Sequence, residues 1–299
     1  ETILEKSMQL IWRQLVQRYG MPQRAPGAPS PCEFIILGYG KLGGIELGYS
    51  SDLDLVFLYS GEQNAGTSGD KSISNEEFYI RFGQRVFHLL NTSTLAGSLY
   101  SVDMRLRPLG DSGLLVTSLE SFADYQREDA WTFEHQALVR ARVIAGDPAV
   151  TRKFESLRKE ILQRKRDPET LKKDIKDMRN RIIESKVKGT ENIFDVKIDP
   201  GGIGDIEFLV QYGVLRWAHE HPILAEHPDN MRILDSLVAT NVLDAEDAKQ
   251  LKEAYLAYRT QLHQASLHED EHRTKIDIKE HKTAVISIWD KLLETENEQ

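Results

Sequence analysis

One cysteine, Cys32, stands in 299 residues. A lone thiol excludes an internal disulfide and suits a reducing, cytoplasmic compartment. No apolar run approaches the roughly 20 positions that span a bilayer, so the sequence offers no membrane helix. The opening residues, Glu1-Thr2-Ile3-Leu4-Glu5-Lys6, lack the basic and apolar regions of a secretory signal. They also lack an initiator methionine, so a piece of a longer protein or a processed product is expected. Excess positive charge is missing too. The net charge is −9, which opposes the broad basic face of a general nucleic-acid binder. Locally the balance reverses: Arg152 to Lys188 holds 14 Lys/Arg against 7 Asp/Glu. That stretch reads either as a solvated, salt-bridged helical face or as a docking surface for an acidic partner.

What remains, 40% hydrophobic and 28% charged residues, can bury a substantial core in more than one packing unit. Leu4, Met8, Ile11 and Leu15 recur at helical spacing before Gly20, predicting a helix over residues 1–19. Pro22, Pro26, Pro29 and Pro31 prevent its continuation. Phe34–Leu37 reads as a buried strand and Asp52–Leu58 as a strand with one covered face. Phe78, Phe82, Val86 and Leu90 predict a helix over Glu76–Leu90. Leu99–Leu106 alternates as a strand, with Ser101, Asp103 and Arg105 on one face. Beyond Ser118 the pattern is helical: Leu119–Arg127, Trp131–Ile144, Ala149–Lys165, Pro168–Ser185, Asp205–His221, Asn230–Thr240, Ala245–Leu267 and Thr283–Thr295. The expected organisation is an N-terminal helix and proline-rich linker (1–32), an α/β catalytic domain (33–150) and a C-terminal helical domain (151–299).

The chemistry-bearing string is Gly38-Tyr39-Gly40-Lys41-Leu42-Gly43-Gly44. Its glycine spacing fits a dinucleotide-binding loop, but only Ile45–Ser51 separate it from Asp52. That is too short for a crossover helix returning to a parallel strand. A G-x-x-x-x-G-K-[ST] phosphate loop fails because Gly44 occupies the lysine position. Asp52-x-Asp54 at the start of a strand fits better, since alternate residues project to one face and both carboxylates reach one point. Such oxygen donors suit Mg²⁺, which keeps substrate phosphates as further ligands. Asp103 on a neighbouring strand would complete a three-carboxylate cluster for two-metal nucleotidyl transfer. The turn, through Gly40, Gly43 and Gly44, would present backbone N–H groups to phosphates, with Lys41 as a local positive charge. A bare D-x-D serves equally as a solvated strand edge or turn cap; the glycine turn and Asp103 carry the reading past that.

A glycine turn (Gly40-Lys41), the spacer Leu42–Ser51 and D-h-D-h on a strand resemble the DNA polymerase beta-like nucleotidyltransferases, although Lys41 stands where serine is usual. Within that superfamily, Gly38–Gly44, Glu46-Leu47-Gly48-Tyr49 and Ser51–Phe57 are similar to the glutamine synthetase adenylyltransferase family. Val102–Pro108, Phe122–Gln126, Trp131–Arg142 and Gly201–Phe208 agree, so the resemblance covers residues 33–240. Family members carry two catalytic units, and the wording here is similar to the C-terminal, adenylylating one. Gly204 departs from the pattern, which has a larger polar residue there.

The resemblance implies an α+β fold: a nucleotidyltransferase head with a mixed sheet and helices, followed by an all-helical bundle. It implies transfer of AMP from ATP to a tyrosine hydroxyl of glutamine synthetase, with Asp52, Asp54 and Asp103 as catalytic ligands of two Mg²⁺ ions. It further implies regulation by the PII signal protein and glutamine, with no nucleic-acid or membrane partner. The alternatives are the adenylyl-removing direction and a non-catalytic nucleotide- or PII-binding module. Arg105 and Arg107 would steady the triphosphate or pair with the carboxylates. Ser51 would donate to a phosphate or cap the start of its strand. Lys197, Asp205 and Glu207 flank the Gly201-Gly202 turn, which by resemblance packs under the nucleotide site. By chemistry alone, such carboxylates cap a helix dipole.

Overall fold

The computed structural model describes residues 1–25, 27–49, 51–61, 65–93, 95, 97, 100–185, 194–267 and 279–294. The chain divides into two units: unit 1 comprises Glu1–Leu47, Ser51–Ala130 and Arg140–Ile161, and unit 2 comprises Gly48–Ser50, Trp131–Val139 and Leu162–Gln299.

Unit 1 opens with α1 (Thr2–Tyr19), whose Leu4, Met8, Ile11 and Leu15 are all buried. In the proline-rich stretch, β1 (Gln23–Ala25) and β2 (Ala28–Pro29) pair antiparallel. Next come β3 (Phe34–Gly38), a single helical turn α2 (Gly40–Gly43), β4 (Leu53–Tyr59) and α3 (Asn75–Leu90). Then follow β5 (Val102–Asp103), β6 (Val116–Ser118) and α4 (Leu119–Glu128). The chain passes through α5 (Thr132–Val139), which belongs to unit 2, and returns as β7 (Arg142–Gly146) and α6 (Pro148–Leu162).

The sheet is mixed, as the sequence implied. β3 lies antiparallel to β4 on one side and to β7 on the other, while β5 and β6 both run parallel to β4. Phe34, Ile36, Leu55 and Phe57 join the core with α1 and α3. Ile35, Leu37, Val56 and Leu58 are just as buried, and alternation sends them to the opposite face. Burial on both faces explains why β3 and β4 read as near-continuous apolar runs. Aromatic rings fill the first layer: Trp12 meets Phe78 edge-on at 5.3 Å, and Phe34 meets Phe82 edge-on at 4.8 Å. Ser74 caps α3 by accepting from the Glu77 amide at 3.1 Å.

Two expectations are corrected. The helix expected over Trp131–Ile144 ends at Val139, and Arg142–Gly146 is a strand on β3. Val143 pairs there with Leu37 and Ala145 with Ile36, the register shifting between them, and the edge of β3 supplies the backbone partners. The strand expected over Leu99–Leu106 covers Val102–Asp103 among the described residues, and Leu99 lies outside them. It stops because the Arg105 amide turns back to donate to the Asp103 carboxylate at 2.9 Å, and Arg107 donates to the Met104 carbonyl at 2.8 Å.

Unit 2 is helical. Beside α5 it holds α7 (Pro168–Glu184), α8 (Ile203–Trp217), α9 (Asn230–Ala239), α10 (Ala245–Leu267) and α11 (Lys279–Trp289), which continues as a π-helical segment to Glu294. The last expected helix residue, Thr295, lies outside the described residues. α8 packs against α5, α7, α9, α10 and α11, and its Ile206, Val210, Val214 and Leu215 are fully buried. No helix of the described residues is long and apolar enough to cross a membrane.

Gly83 is the point where α3 comes closest to the sheet. A Cβ there would overlap a Val116 methyl and press on Phe57 at 3.2 Å. Gly83→Ala is expected to destabilise unit 1 by about 1–3 kcal/mol, the usual range for overpacking. Urea unfolding checks this, and an unchanged midpoint would show that α3 has room to shift.

Candidate active site

Register places the carboxylates. β4 and β5 run parallel with Asp54 directly opposite Asp103, and backbone hydrogen bonds hold the two side chains together. Asp52 lies just before β4 and accepts from the Ser101 hydroxyl. Leu53 extends the same junction, its amide donating to the Ser101 carbonyl at 2.9 Å. The structure therefore brings all three predicted carboxylates to one end of the β4–β5 pair.

The glycine turn approaches from the β3 side. Tyr39 donates its amide to the Asp54 carbonyl at 2.9 Å. Gly40 has φ +53°, and a Cβ there would lie 2.7 Å from Asp54 Oδ2. Both facts favour glycine. By the rule of helix ends, the amides of Gly40, Lys41 and Leu42 have no acceptor inside the single turn. Gly43 and Gly44 are placed differently. Their amides donate to the Tyr39 and Gly40 carbonyls, each at 3.0 Å. Their missing side chains make room for Arg140: a Cβ on Gly43 would strike its carbonyl, and one on Gly44 would come within 2.8 Å of its guanidinium.

Arg140 and Arg142 escaped the sequence reading as site residues. Arg140 forms a salt bridge with Glu46 in which both side chains are buried. Arg142 donates to the Leu42 and Gly43 carbonyls at 3.3 Å each, and to Glu1 at 2.6 Å. Together they bracket the glycine turn from the β7 side. The alternation Arg140-Ala141-Arg142 before Val143-Ile144 was the available signal for a strand.

The remaining candidates separate by role. Lys41 is exposed and its charge draws the Asp54 carboxyl down. Arg105 grips Asp103, with Nε 2.9 Å and Nη2 2.5 Å from Oδ2, and holds that carboxyl below its ordinary range. Arg107 is largely buried and spends its guanidinium on the carbonyls of Met104, Asp111 and Gly113. Ser51 is buried just before Asp52. Asp205 belongs to unit 2. Its carboxylate takes a two-point bridge from Arg179, 2.7 Å at each oxygen, and the Gly201 amide at 2.7 Å. The Lys197 amide donates to Asp195 at 2.9 Å, and Glu207 is half-buried on α8. A Cβ on Gly204 would lie 2.7 Å from the Lys197 carbonyl, so a larger residue there would need a shifted turn.

Electrostatics single out Asp54. Burial, then Asp103, then Asp52 push its carboxyl up to about 6, while Lys41 and Arg105 oppose the rise. Among the described residues, no three Asp, Glu, His or Cys side chains form a ready metal cage. Asp103 is turned to Arg105, and Asp52 to Ser101. The donor set nonetheless suits a hard cation: Asp54 and Asp103 lie side by side and partly buried, with Asp52 next to them, and carboxylate oxygens are the ligands such an ion takes. Beside them a cleft of about 540 Å³ is lined by Asp52, Asp103 and Asp111, by Arg105 and Arg107, and by apolar residues that include Phe87 and Leu115.

An α+β head with carboxylates on adjacent strands facing a glycine turn is the architecture of a nucleotidyltransferase. Residues 1–157 match the family described as glutamate-ammonia ligase adenylyltransferase, and the chain belongs to that family. Residues 169–290 match the family described as GlnD PII-uridylyltransferase. The chain is similar to the bifunctional glutamine synthetase adenylyltransferase/adenylyl-removing enzyme of Pseudomonas aeruginosa, at 48% identity over 90% of this chain and 29% of the relative. The enzymes of the same name from Hahella chejuensis and Nitrosococcus oceani are 45% and 47% identical, over 98% and 99% of this chain and 31% of each relative. The chain thus spans under a third of the length of these curated relatives.

Two outcomes follow from this geometry. In metal-free protein the Asp54 carboxyl, pushed from its ordinary 3.8 up to about 6 by burial, contributes stability that is full below the lower value and lost as pH rises through the upper one. Asp54→Asn is expected to remove that falling limb and to be the more stable form at pH 7.5. Urea unfolding against pH tests this, and identical pH slopes for the two proteins would refute it. Arg140→Met leaves Glu46 buried without its partner and is expected to destabilise by about 3–5 kcal/mol, with Arg140→Met/Glu46→Leu recovering much of the loss. A double-mutant cycle measures both.

Proposed function

We propose that unit 1 transfers AMP from ATP to a tyrosine hydroxyl of glutamine synthetase, releasing pyrophosphate and inactivating the synthetase. The observation that carries this is the pairing of Asp54 with Asp103 on neighbouring strands, with Gly40 packed against Asp54. It is supported by membership of a family whose relatives are named for adenylylating that enzyme. Asp52, Asp54 and Asp103 would hold Mg²⁺, two ions on this reading. When bound, the metal supplies acidification of the attacking hydroxyl and neutralisation of the triphosphate.

The chain's own residues do the rest. Gly40 lets the turn lie against the carboxylates, so Lys41 and the first amides of α2 face the charge of a triphosphate. Arg105, on release from Asp103, is placed to steady a phosphate, whereas Arg107 keeps the loop shape that positions Arg105. The domain reading follows: residues 33–150 as the catalytic domain, preceded by the helix and linker 1–32 and followed by the helical domain 151–299. In unit 2 Asp205 holds the Gly201-Gly202 turn, and Lys197, Asp205 and Glu207 would form a second-tier site in this scheme. The match of residues 169–290 to a PII-uridylyltransferase family supports control by the PII signal protein, with glutamine as a second effector. The lone Cys32 fits a cytoplasmic setting.

The relatives' names also carry adenylyl removal. In that direction a phosphate oxygen bonds to the phosphorus of the tyrosyl-AMP ester, the bond to the tyrosine oxygen breaks, free tyrosine and ADP result, and the same carboxylates would serve.

With Mg²⁺ and ATP labelled at the α-phosphate, the wild-type chain is expected to label a tyrosine of glutamine synthetase. Asp52→Asn/Asp54→Asn is expected to lose at least about a hundredfold in rate, several kcal/mol of charge stabilisation. Rapid ADP release from adenylylated synthetase and phosphate would replace this reading with the removing one. Nucleotide binding without any product would leave a binding module.

A further inference from the structure

We propose that Arg105 is a built-in counter-ion of the carboxylate site: it holds Asp103 until a polyphosphate offers its guanidinium another anion, so that cation and nucleotide load together. This rests on the metal-site reading above and adds how the loading of that site is governed.

The contacts on Asp103 supply the first argument. Its Oδ1 accepts from the Arg105 amide at 2.9 Å and from Nε at 3.0 Å, and its Oδ2 accepts from Nε at 2.9 Å and from Nη2 at 2.5 Å. Each oxygen thus carries two contacts, matching the two lone pairs it offers. A cation that takes Asp103 as a ligand has to displace at least one of them, and it arrives beside a guanidinium of the same sign. Asp103 stands opposite Asp54 in the β4–β5 register, so guanidinium and cation compete for one carboxylate of that pair.

Unequal anchoring of the two arginines supplies the second. The Arg105 side chain is 71% exposed, against 21% for Asp103, and water and salt weaken so open an ion pair. Arg107, two residues on, is 13% exposed; it pairs with Asp111 at 3.6 Å and donates to the carbonyls of Met104, Asp111 and Gly113. That anchor holds the backbone, so Arg105 leaves by rotating its side chain alone. Its amide still donates to Oδ1 and keeps Asp103 aimed as before.

The cleft supplies the third. Arg105 lines it together with Asp52, Asp103, Arg107 and Asp111, so the guanidinium has room to move without leaving the site. Asp54 and Asp111 both lie within reach of its charge. A phosphate competes well with a carboxylate for arginine, because the planar fork meets either with two parallel N–H groups. The fork grips one such anion at a time. Whatever draws it from Asp103 therefore strengthens cation binding there, and a bound cation strengthens phosphate binding by the same factor.

The test reads binding, not turnover. Mn²⁺, a spin-bearing probe for the Mg²⁺ site, is titrated into the whole chain without nucleotide and followed by electron paramagnetic resonance. Arg105→Gln is expected to bind it about threefold to fivefold tighter than wild type, the range for removal of an exposed ion pair. Equal or weaker binding overturns the proposal. A misfolded variant loses binding, so the expected gain has no such origin. A double-mutant cycle on ATP binding in EDTA, by equilibrium dialysis, gives a second arm. Asp103→Asn is expected to tighten ATP about threefold more in the wild-type background than in Arg105→Gln, because only there does it free a guanidinium. The same gain in both backgrounds shows simple charge repulsion and overturns the proposal. If instead Asp52→Asn/Asp54→Asn binds Mn²⁺ as tightly as wild type, the metal-site reading itself is lost, whatever Arg105 does.

Discussion

The burial of Asp54, with repulsion from Asp103 and Asp52 added to it, is the constraint on which the carboxylate end of unit 1 depends. Asp54 and Asp103 face each other because β4 and β5 pair at that register. Side-chain rotation relieves only part of the repulsion, and sliding the strands would break the ladder of β4 with β3. Two of the three charges find local partners, Ser101 for Asp52 and Arg105 for Asp103. Asp54, the most enclosed, is left to favour its proton. A fold that accepts such a cost at one point keeps negative potential there, which the proposed cation site would use.

The glycine turn depends on the same arrangement. A helix of one turn cannot sustain itself, since nucleation is unfavourable and most of its amides and carbonyls lack helical partners. Arg140 and Arg142 hold it from outside, one through the buried Glu46 and the other through the Leu42 and Gly43 carbonyls. A buried ion pair of this kind adds little net stability over an apolar pair of the same size, and its removal on one side is costly. Its effect is to allow a single placement of the turn, and hence of Gly40 against Asp54.

Unit 2 uses the same residue types for a different end. Asp205 looks like a site carboxylate in sequence, yet Arg179 takes both its oxygens and the Gly201 amide adds a third bond. The Tyr258 hydroxyl donates to the Gly201 carbonyl at 2.8 Å, and Arg179 lies over the Trp289 ring at 4.3 Å. The Gly201 turn is thereby joined to α7, α8, α10 and α11. A charge satisfied on every side organises a helical core, whereas Asp54, partly buried beside Asp103, is the carboxylate on which the proposed site rests.

Local pattern determined much of this protein on its own. Helical spacing of Leu4, Met8, Ile11 and Leu15, and of Phe78, Phe82 and Val86, was enough for α1 and α3. The apolar runs marked β3 and β4, and the D-x-D spacing put Asp52 and Asp54 at one strand end. These features depend on residues a few positions apart, where periodicity records which face is buried. Only the tertiary structure decided the rest. Whether Arg140–Gly146 continued a helix or joined a sheet depended on the open edge of β3, which lies about a hundred residues earlier in the chain. Which protein groups Arg105 and Arg107 met depended on the fold of the Met104–Gly113 segment, which sets Arg105 on Asp103 and Arg107 on the Met104, Asp111 and Gly113 carbonyls. The glycines of one motif divided in the same way, Gly40 answering to Asp54 while Gly43 and Gly44 answer to Arg140. Each of those outcomes is set by a partner distant in sequence, and spacing along the chain carries no record of a partner that only folding brings near.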